Sequence, residues 1–167
     1  MGESSVRGFL KAVLDAVTAV GQVHDYERWA LNWSDVLDRY KTTISGSDVI
    51  RGWTIACAGW EAEYLDYPDD AGSYIEGRRY QYKIRGYFGV NDGDASEKTA
   101  IGIIEDVCEA LNSNVTLHAM ENATDLWGLV PAARVDVFEA RTFAGVLCHY
   151  VEITQMADET VAVRVTG

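Results

Sequence analysis

Cys148 and His149 are neighbours in the chain, and Glu152 follows close behind. A thiol and an imidazole in contact make an activated nucleophile, and the same side chains with a carboxylate can hold zinc. The segment from Gly145 to Thr154, however, reads as a strand, in which adjacent side chains point to opposite faces. Cys148 and His149 therefore diverge, and odd spacing separates His149 from Glu152 in the same way. Cys108 falls on the apolar stripe of a helix, the usual place of a buried, inert thiol. Cys57 also lacks a histidine partner, so the sequence predicts no catalytic residue, no metal site and no cofactor.

Carboxylates offer a second chemistry. Asp66, Asp69 and Asp70 form one acidic run and Asp92 with Asp94 another, and either could bind a divalent cation. Neither has EF-hand spacing, and loop solvation and helix capping account for both. Gly86-Tyr87-Phe88-Gly89 lacks the Lys-Ser or Lys-Thr that completes a phosphate-binding loop. The remaining concentration of charge is basic. Arg78, Arg79, Lys83 and Arg85 crowd together in a chain with 14 basic and 26 acidic residues. On a strand, Arg79, Lys83 and Arg85 share one face with Gln81. Such a stripe is either a solvated sheet face or a surface that meets an acidic neighbour, such as another copy of the chain. Asp66, Asp69 and Asp70 are the densest complementary run, and opposite charges segregated on one subunit suit a head-to-tail contact.

The elements that would position these residues follow from periodicity. Val6, Phe9, Leu10, Val13, Leu14, Val17 and Val20 recur at helical spacing, with Ser4 or Ser5 as the cap and Gly21 as the stop. Val23 to Trp29 alternates as a short strand, and Ser34 opens a second helix with Val36, Leu37 and Tyr40 inward. Val49 to Leu65 reads as a long strand. After a polar loop, Tyr80, Tyr82, Ile84, Gly86 and Phe88 take one face of its return strand and the basic stripe takes the other. Residues 66–77 are long for a hairpin connection and are expected to order against a neighbour. Asp94 with Glu97 predicts a capping box for a third helix carrying Ala100, Ile104, Val107, Cys108 and Leu111. Three strands then follow, Arg134–Arg141, Gly145–Thr154 and Thr160–Val165. The expectation is one α+β domain over residues 1–167, a mainly antiparallel sheet with a long hairpin, flanked by about three helices.

Composition bounds what such a domain can do. The chain has 167 residues, 48% hydrophobic, with 2 Pro, 5 Trp and 9 Tyr, which is enough for one substantial core and for aromatic anchors at interfaces. A net charge of -12 repels phosphate backbones and anionic lipid, which argues against reading DNA sequence and against membrane binding. It leaves room for a protein past which DNA slides. The 3 Cys, without a CxxC pair, point to a reducing, cytoplasmic compartment. Lys11 and Asp15 interrupt the apolar run from Phe9 to Val20, so neither a signal peptide nor a membrane span is expected there.

The order of these features also resembles a family. An amphipathic helix runs into Gly21-Gln22-Val23-His24-Asp25-Tyr26-Glu27-Arg28-Trp29, followed by Trp33-Ser34-Asp35 and a short helix. Ile50-Arg51-Gly52-Trp53-Thr54-Ile55 comes next, then Tyr82-Lys83-Ile84-Arg85-Gly86-Tyr87-Phe88, Ser96-Glu97-Lys98 opening a helix, and a late hairpin reaching His149-Tyr150-Val151-Glu152-Ile153. Over roughly residues 5 to 155 this is similar to the tail-terminator (tail-completion) proteins of long-tailed bacteriophages and prophages. The resemblance implies a structural, non-enzymatic subunit whose copies form a hexameric ring. That ring would cap the tail tube, end its elongation and meet the head connector, while DNA passes through without sequence-specific binding. Its location would be the virion tail, after assembly in the host bacterial cytoplasm. Another phage neck or connector protein is one alternative. A small-molecule-binding domain with an aromatic pocket of Trp53, Trp60 and Tyr82 is another, and a hydrolase with an unrecognised site is disfavoured by the geometry above.

Overall fold

The structure, a computed structural model, describes residues 3–28, 32–44, 46–66, 73–91, 93, 95–114, 118–119 and 126–164. In chain order the elements are α1 (Glu3–Asp15), β1 (Gln22–His24), α2 (Trp33–Tyr40), β2 (Lys41–Ile44), β3 (Ser47–Asp66), β4 (Ser73–Gly89), α3 (Ser96–Ser113), β5 (His118–Ala119), β6 (Leu126–Phe143) and β7 (Val146–Arg164). The strands form a 7-stranded sheet in the order β1-β3-β4-β7-β6-β5, with β2 pairing β3 off this path. Among the described residues only β1 and β3 pair in parallel; the other pairings are antiparallel. This is the expected α+β class with its long hairpin and three helices. Among the described residues no helix is long and apolar enough to cross a membrane.

The four central strands are longer than sequence pattern indicates. Arg134–Arg141 is only part of β6. Of the expected strands Gly145–Thr154 and Thr160–Val165, residues 146–154 and 160–164 belong to one strand, β7, whose described part ends at Arg164, while Gly145 lies in the turn before it; Val165 lies outside the described residues. Ala157, Asp158 and Glu159 have weak strand propensity and break the sequence signal, but each pairs with a residue of β4, and that pairing overrides propensity. The turn between β6 and β7 has Ala144 at φ 49° and Gly145 at φ 82°, the double left-handed geometry that suits strand twist. β3 and β4 likewise zip further than expected, to Asp66 opposite Ile75. The predicted loop of residues 66–77 thus shrinks to 67–72, which lie outside the described residues, Asp69 and Asp70 among them.

Helix ends also differ from their signals. α1 stops at Asp15, and Ser4 and Ser5 lie inside it; Val20 still enters the core after a turn that includes Ala19 at φ 58°. Gly21, at φ 92°, has no room for a side chain, since a Cβ there would lie 2.3 Å from the Arg51 carbonyl oxygen. The expected strand from Val23 to Trp29 is reduced to β1; Trp29 lies outside the described residues. Asn32, not Ser34, caps α2: its side-chain oxygen accepts the Asp35 N–H at 2.9 Å and the Ser34 hydroxyl at 2.7 Å. At α3 the cap position is Ala95 in the left-handed region, without a side-chain cap bond. The Ser96 hydroxyl instead accepts the Asn91 N–H at 2.9 Å, and Asp94 of the expected capping box lies outside the described residues.

One face of the sheet is the core. Trp53, Ile55, Tyr82, Ile84, Val151 and Ile153 are all 0% exposed, in one cluster with the apolar stripes of α1 and α3. Trp53 donates its indole N–H to the Val20 carbonyl at 3.0 Å and meets Phe88 edge-on at 5.4 Å. Strands of 17 to 20 residues run about 60 Å at roughly 3.3 Å per residue, whereas the 18 residues of α3 span about 27 Å. The sheet therefore outruns its helical cover. At the far end of β3, Trp60 is 63% exposed and Tyr64 75%.

Candidate functional site

The face opposite α1 and α3, on which α2 packs through Tyr40 against Tyr87 and Phe143, carries the charged residues of β4. Register decides what meets there: Arg79 lies opposite Asp158, Lys83 opposite Thr154 and Arg85 opposite Glu152 across the β4–β7 ladder. Arg79 makes a bidentate pair with Asp158 at 2.7 and 2.8 Å. The Lys83 ammonium donates to Asp136 at 2.7 Å and to the Thr154 hydroxyl at 2.9 Å, and lies 3.0 Å from Glu152. Arg85 bonds Glu152 at 3.0 Å and also pairs with Glu27. The basic stripe is thus on the predicted face, and carboxylates of the same chain meet it. Arg78 points the other way, toward Glu76 and the buried Glu159.

These contacts shift titration in the matching directions. The Lys83 hydrogen bond, supported by those of Thr154 and Arg134, holds Asp136 well below the usual carboxylate range. Lys83 is raised in turn, Asp136 being the largest cause. Burial pushes Glu152 up, but hydrogen bonds from Lys83, Arg85 and Tyr150 outweigh it and the carboxyl titrates below its ordinary value. Of the acidic run expected to face this stripe, Asp66 ends β3 opposite Ile75; Asp69 and Asp70 have no described position.

Beside the ion pairs lies an aromatic cleft of about 240 Å³. Tyr87 stacks on Phe143 with centroids 4.0 Å apart, Tyr40 from α2 meets Phe143 edge-on at 4.9 Å, and Arg141 lies 3.9 Å over the Tyr150 ring. Burial raises the phenols of Tyr40 and Tyr87 to about 12, so both are neutral at physiological pH. Sequence reasoning missed this group, although a signal was present: Tyr87 stands on the polar phase of β4, directly after Arg85 in that phase. The aromatic residues it singled out do not form a pocket. Trp53 and Tyr82 are sealed in the core at 0% exposure, while Trp60 is 63% exposed on the projecting end of β3.

The cysteines and histidines take ordinary places. Cys148 is buried, and burial raises its thiol to about 11; Cys108 is raised for the same reason. His149, on the other face of β7, lies 3.0 Å from the Ser96 hydroxyl. That serine already accepts a backbone N–H, and no described carboxylate bonds His149, so the third member of a hydrolase triad is missing among the described residues. His24 bonds the Arg39 carbonyl at 2.7 Å, and burial lowers its pKa. Among the described residues no cluster of three or more His, Cys, Asp or Glu could hold a metal ion. A thiol reagent applied to the folded protein at neutral pH should modify the half-buried Cys57 first and reach Cys148 only after denaturant is added. Fast labelling of Cys148 in the native state would show that its side of the sheet is open. A scan of protein-family models finds no match to the chain, and a search of curated proteins finds no matching sequence.

Proposed function

We propose that the chain is a structural subunit of a phage or prophage tail, which forms a ring with copies of itself, caps the tail tube, ends its elongation and joins it to the head connector. The observation that carries this reading is the long sheet, in which β3 and β6 keep, on opposite sides, edges that the short β1, β2 and β5 cover only in part among the described residues. A subunit with two different open edges is suited to head-to-tail contacts, which close into rings. The order of sequence features shared with tail terminators supplies the rest, including the hexamer, the tube and connector as partners, and the virion tail as the location. Cations matched by carboxylates of the same chain suit a surface past which DNA must move without sticking. A neck or connector role would use the same edges.

Two measurements test the reading. Sedimentation velocity over a concentration series should show a discrete assembly of six subunits, annular in negative stain. A phage lacking the protein should make tail tubes of uncontrolled length that fail to join heads. Tails of normal length and infectivity without it would overturn the proposal. The aromatic cleft favours the second reading, a small-molecule site at Tyr40, Tyr87 and Phe143. That reading requires a ligand whose binding raises the melting temperature of the monomer.

A further inference from the structure

The two open edges of the sheet differ in composition, and the differences fit each other. β2 and β1 cover β3 only as far as Thr54, so from Ile55 to Asp66 its outer edge meets no described strand. On the opposite side β5 covers only Leu126 and Trp127 of β6. Beyond them no described strand covers the β6 edge, and the Ala133 N–H is accepted by the Asn112 side chain at 2.8 Å. Exposed edges expose unpaired backbone groups and attract another strand unless they are guarded. Pro131, which lacks an N–H, and the register shift between Val130 and Arg134 guard the start of the β6 edge; Arg134 and Val135 then pair in step with Thr154 and Ile153, and after one further shift at Val137 the pairing with β7 runs on to Phe143.

Three features point to a second copy of this chain as the occupant. Direction is the first: β3, β4, β7 and β6 alternate, so a neighbour's β3 laid beside β6 continues the antiparallel order. The second is apolar surface. Trp60 shares the helix-side face with Tyr80, 6.5 Å away between ring centroids. At the other edge Val135, 43% exposed, and Phe138, 37% exposed, lie on that same face, opposite Ile153 and Val151. The third is charge. On the other face Glu61 and Glu63 at the β3 edge form no ion pair with a described residue. Arg134 at the β6 edge bonds Asp136 at 2.6 Å, yet its side chain is 72% exposed.

Register joins these features into one arrangement. Trp60 is level with Tyr80, and Val135 is level with Ile84 through Ile153. Placing Val135 beside the neighbour's Trp60 shifts that copy by the interval from Tyr80 to Ile84 across four strands, about one residue per strand. A shear equal to the strand number is the stagger of a closed barrel with strands tilted about 36°. The same shift brings Arg134 beside Glu61. We infer that the β6 edge of one copy pairs antiparallel with the β3 edge of the next, Val135 against Trp60 and Arg134 against Glu61, so that the ring is held by one continuous sheet. This rests on the ring-forming reading above and names the contact that builds it.

The test joins a cross-link to an edge block. A chain with Trp60→Cys is mixed with a chain carrying Val135→Cys, both with Cys57→Ser. Directly opposed strand residues lie about 4.5–5.5 Å apart between Cα atoms, within disulfide range. Oxidation should yield the mixed dimer in preference to either homodimer. Separately, Trp60→Lys and Val135→Lys should each raise the concentration required for assembly by about tenfold or more, since an edge lysine opposes strand addition. Both positions are exposed, so the melting temperature of the subunit should hold. If assemblies form but the cysteines do not couple and the lysine variants sediment like wild type, the edge pairing is wrong and the ring stands. A wild-type chain that stays monomeric at every concentration overturns the ring reading and the pairing together.

Discussion

Replacing Trp53 with alanine should lower the melting temperature by roughly 6–20 °C, which corresponds to a loss of about 3–5 kcal/mol. The side chain is 0% exposed, it is bonded to the Val20 carbonyl, and it packs edge-on against Phe88. It lies across Gly86, where a Cβ would come within 2.8 Å of its ring and 2.7 Å of Val151 Cγ1. Truncation empties that notch and strands a carbonyl that ties the end of the α1 turn to the sheet. Phenylalanine at the same position should recover most of the packing but not the hydrogen bond, and should fall between the two. Thermal unfolding followed by circular dichroism measures all three chains. A change below about 1 kcal/mol in the alanine variant would mean that the surrounding side chains collapse into the space.

Lys83→Met should cost about 1–3 kcal/mol at neutral pH and also reshape the acid limb of the stability profile. The ammonium is the shared partner of Asp136, Glu152 and Thr154, so its removal leaves two half-buried carboxylates facing each other. In the wild type, Asp136 titrates below its unfolded value. The stability it contributes is present above the unfolded carboxylate pKa of about 3.9 and is lost as pH falls through the lower folded one. Lys83, being raised, contributes stability that persists below its unfolded value and fades only as pH rises past the folded one. Urea unfolding should therefore show a wild-type loss on acidification below about pH 4 that is much smaller in Lys83→Met. Parallel acid limbs in the two chains would show that the pairing does not set the titration of Asp136.

What the sequence revealed, and what it hid, divides by the range of the interaction involved. Alternation in β4 is local, and it placed Tyr80, Tyr82 and Ile84 on the buried face and Arg79, Lys83 and Arg85 on the other. The partners of that stripe were hidden because Asp158 lies 79 residues from Arg79 and Asp136 lies 53 from Lys83; no local pattern encodes such a pairing. The merging of two predicted strands into β7 has the same origin, since Ala157 to Glu159 are held extended by β4 rather than by their own preference. Caps differ from their sequence signals for another reason. Asn32 and Ser34 are both good capping residues, and the choice between them turns on backbone angles that side-chain type leaves open. Trp53 and Tyr82 looked like pocket residues because a buried aromatic and a ligand-binding aromatic have the same sequence signature.

The sheet is two hairpins joined along a single seam, and that seam has a consequence for how the chain reaches its native state. β3 with β4, and β6 with β7, are each close in sequence and can zip from their own turns. β4 with β7 pairs Ser73 with Arg164 at one end and Gly89 with Cys148 at the other, so every bond of the seam closes a long loop. Loop closure must precede any gain from such contacts, which makes docking of the two hairpins the slow step of folding. During synthesis the first hairpin emerges with its β4 edge open and must wait for β7, which follows it by more than fifty residues. Until then the strand that will lie at the centre of the sheet is itself an edge.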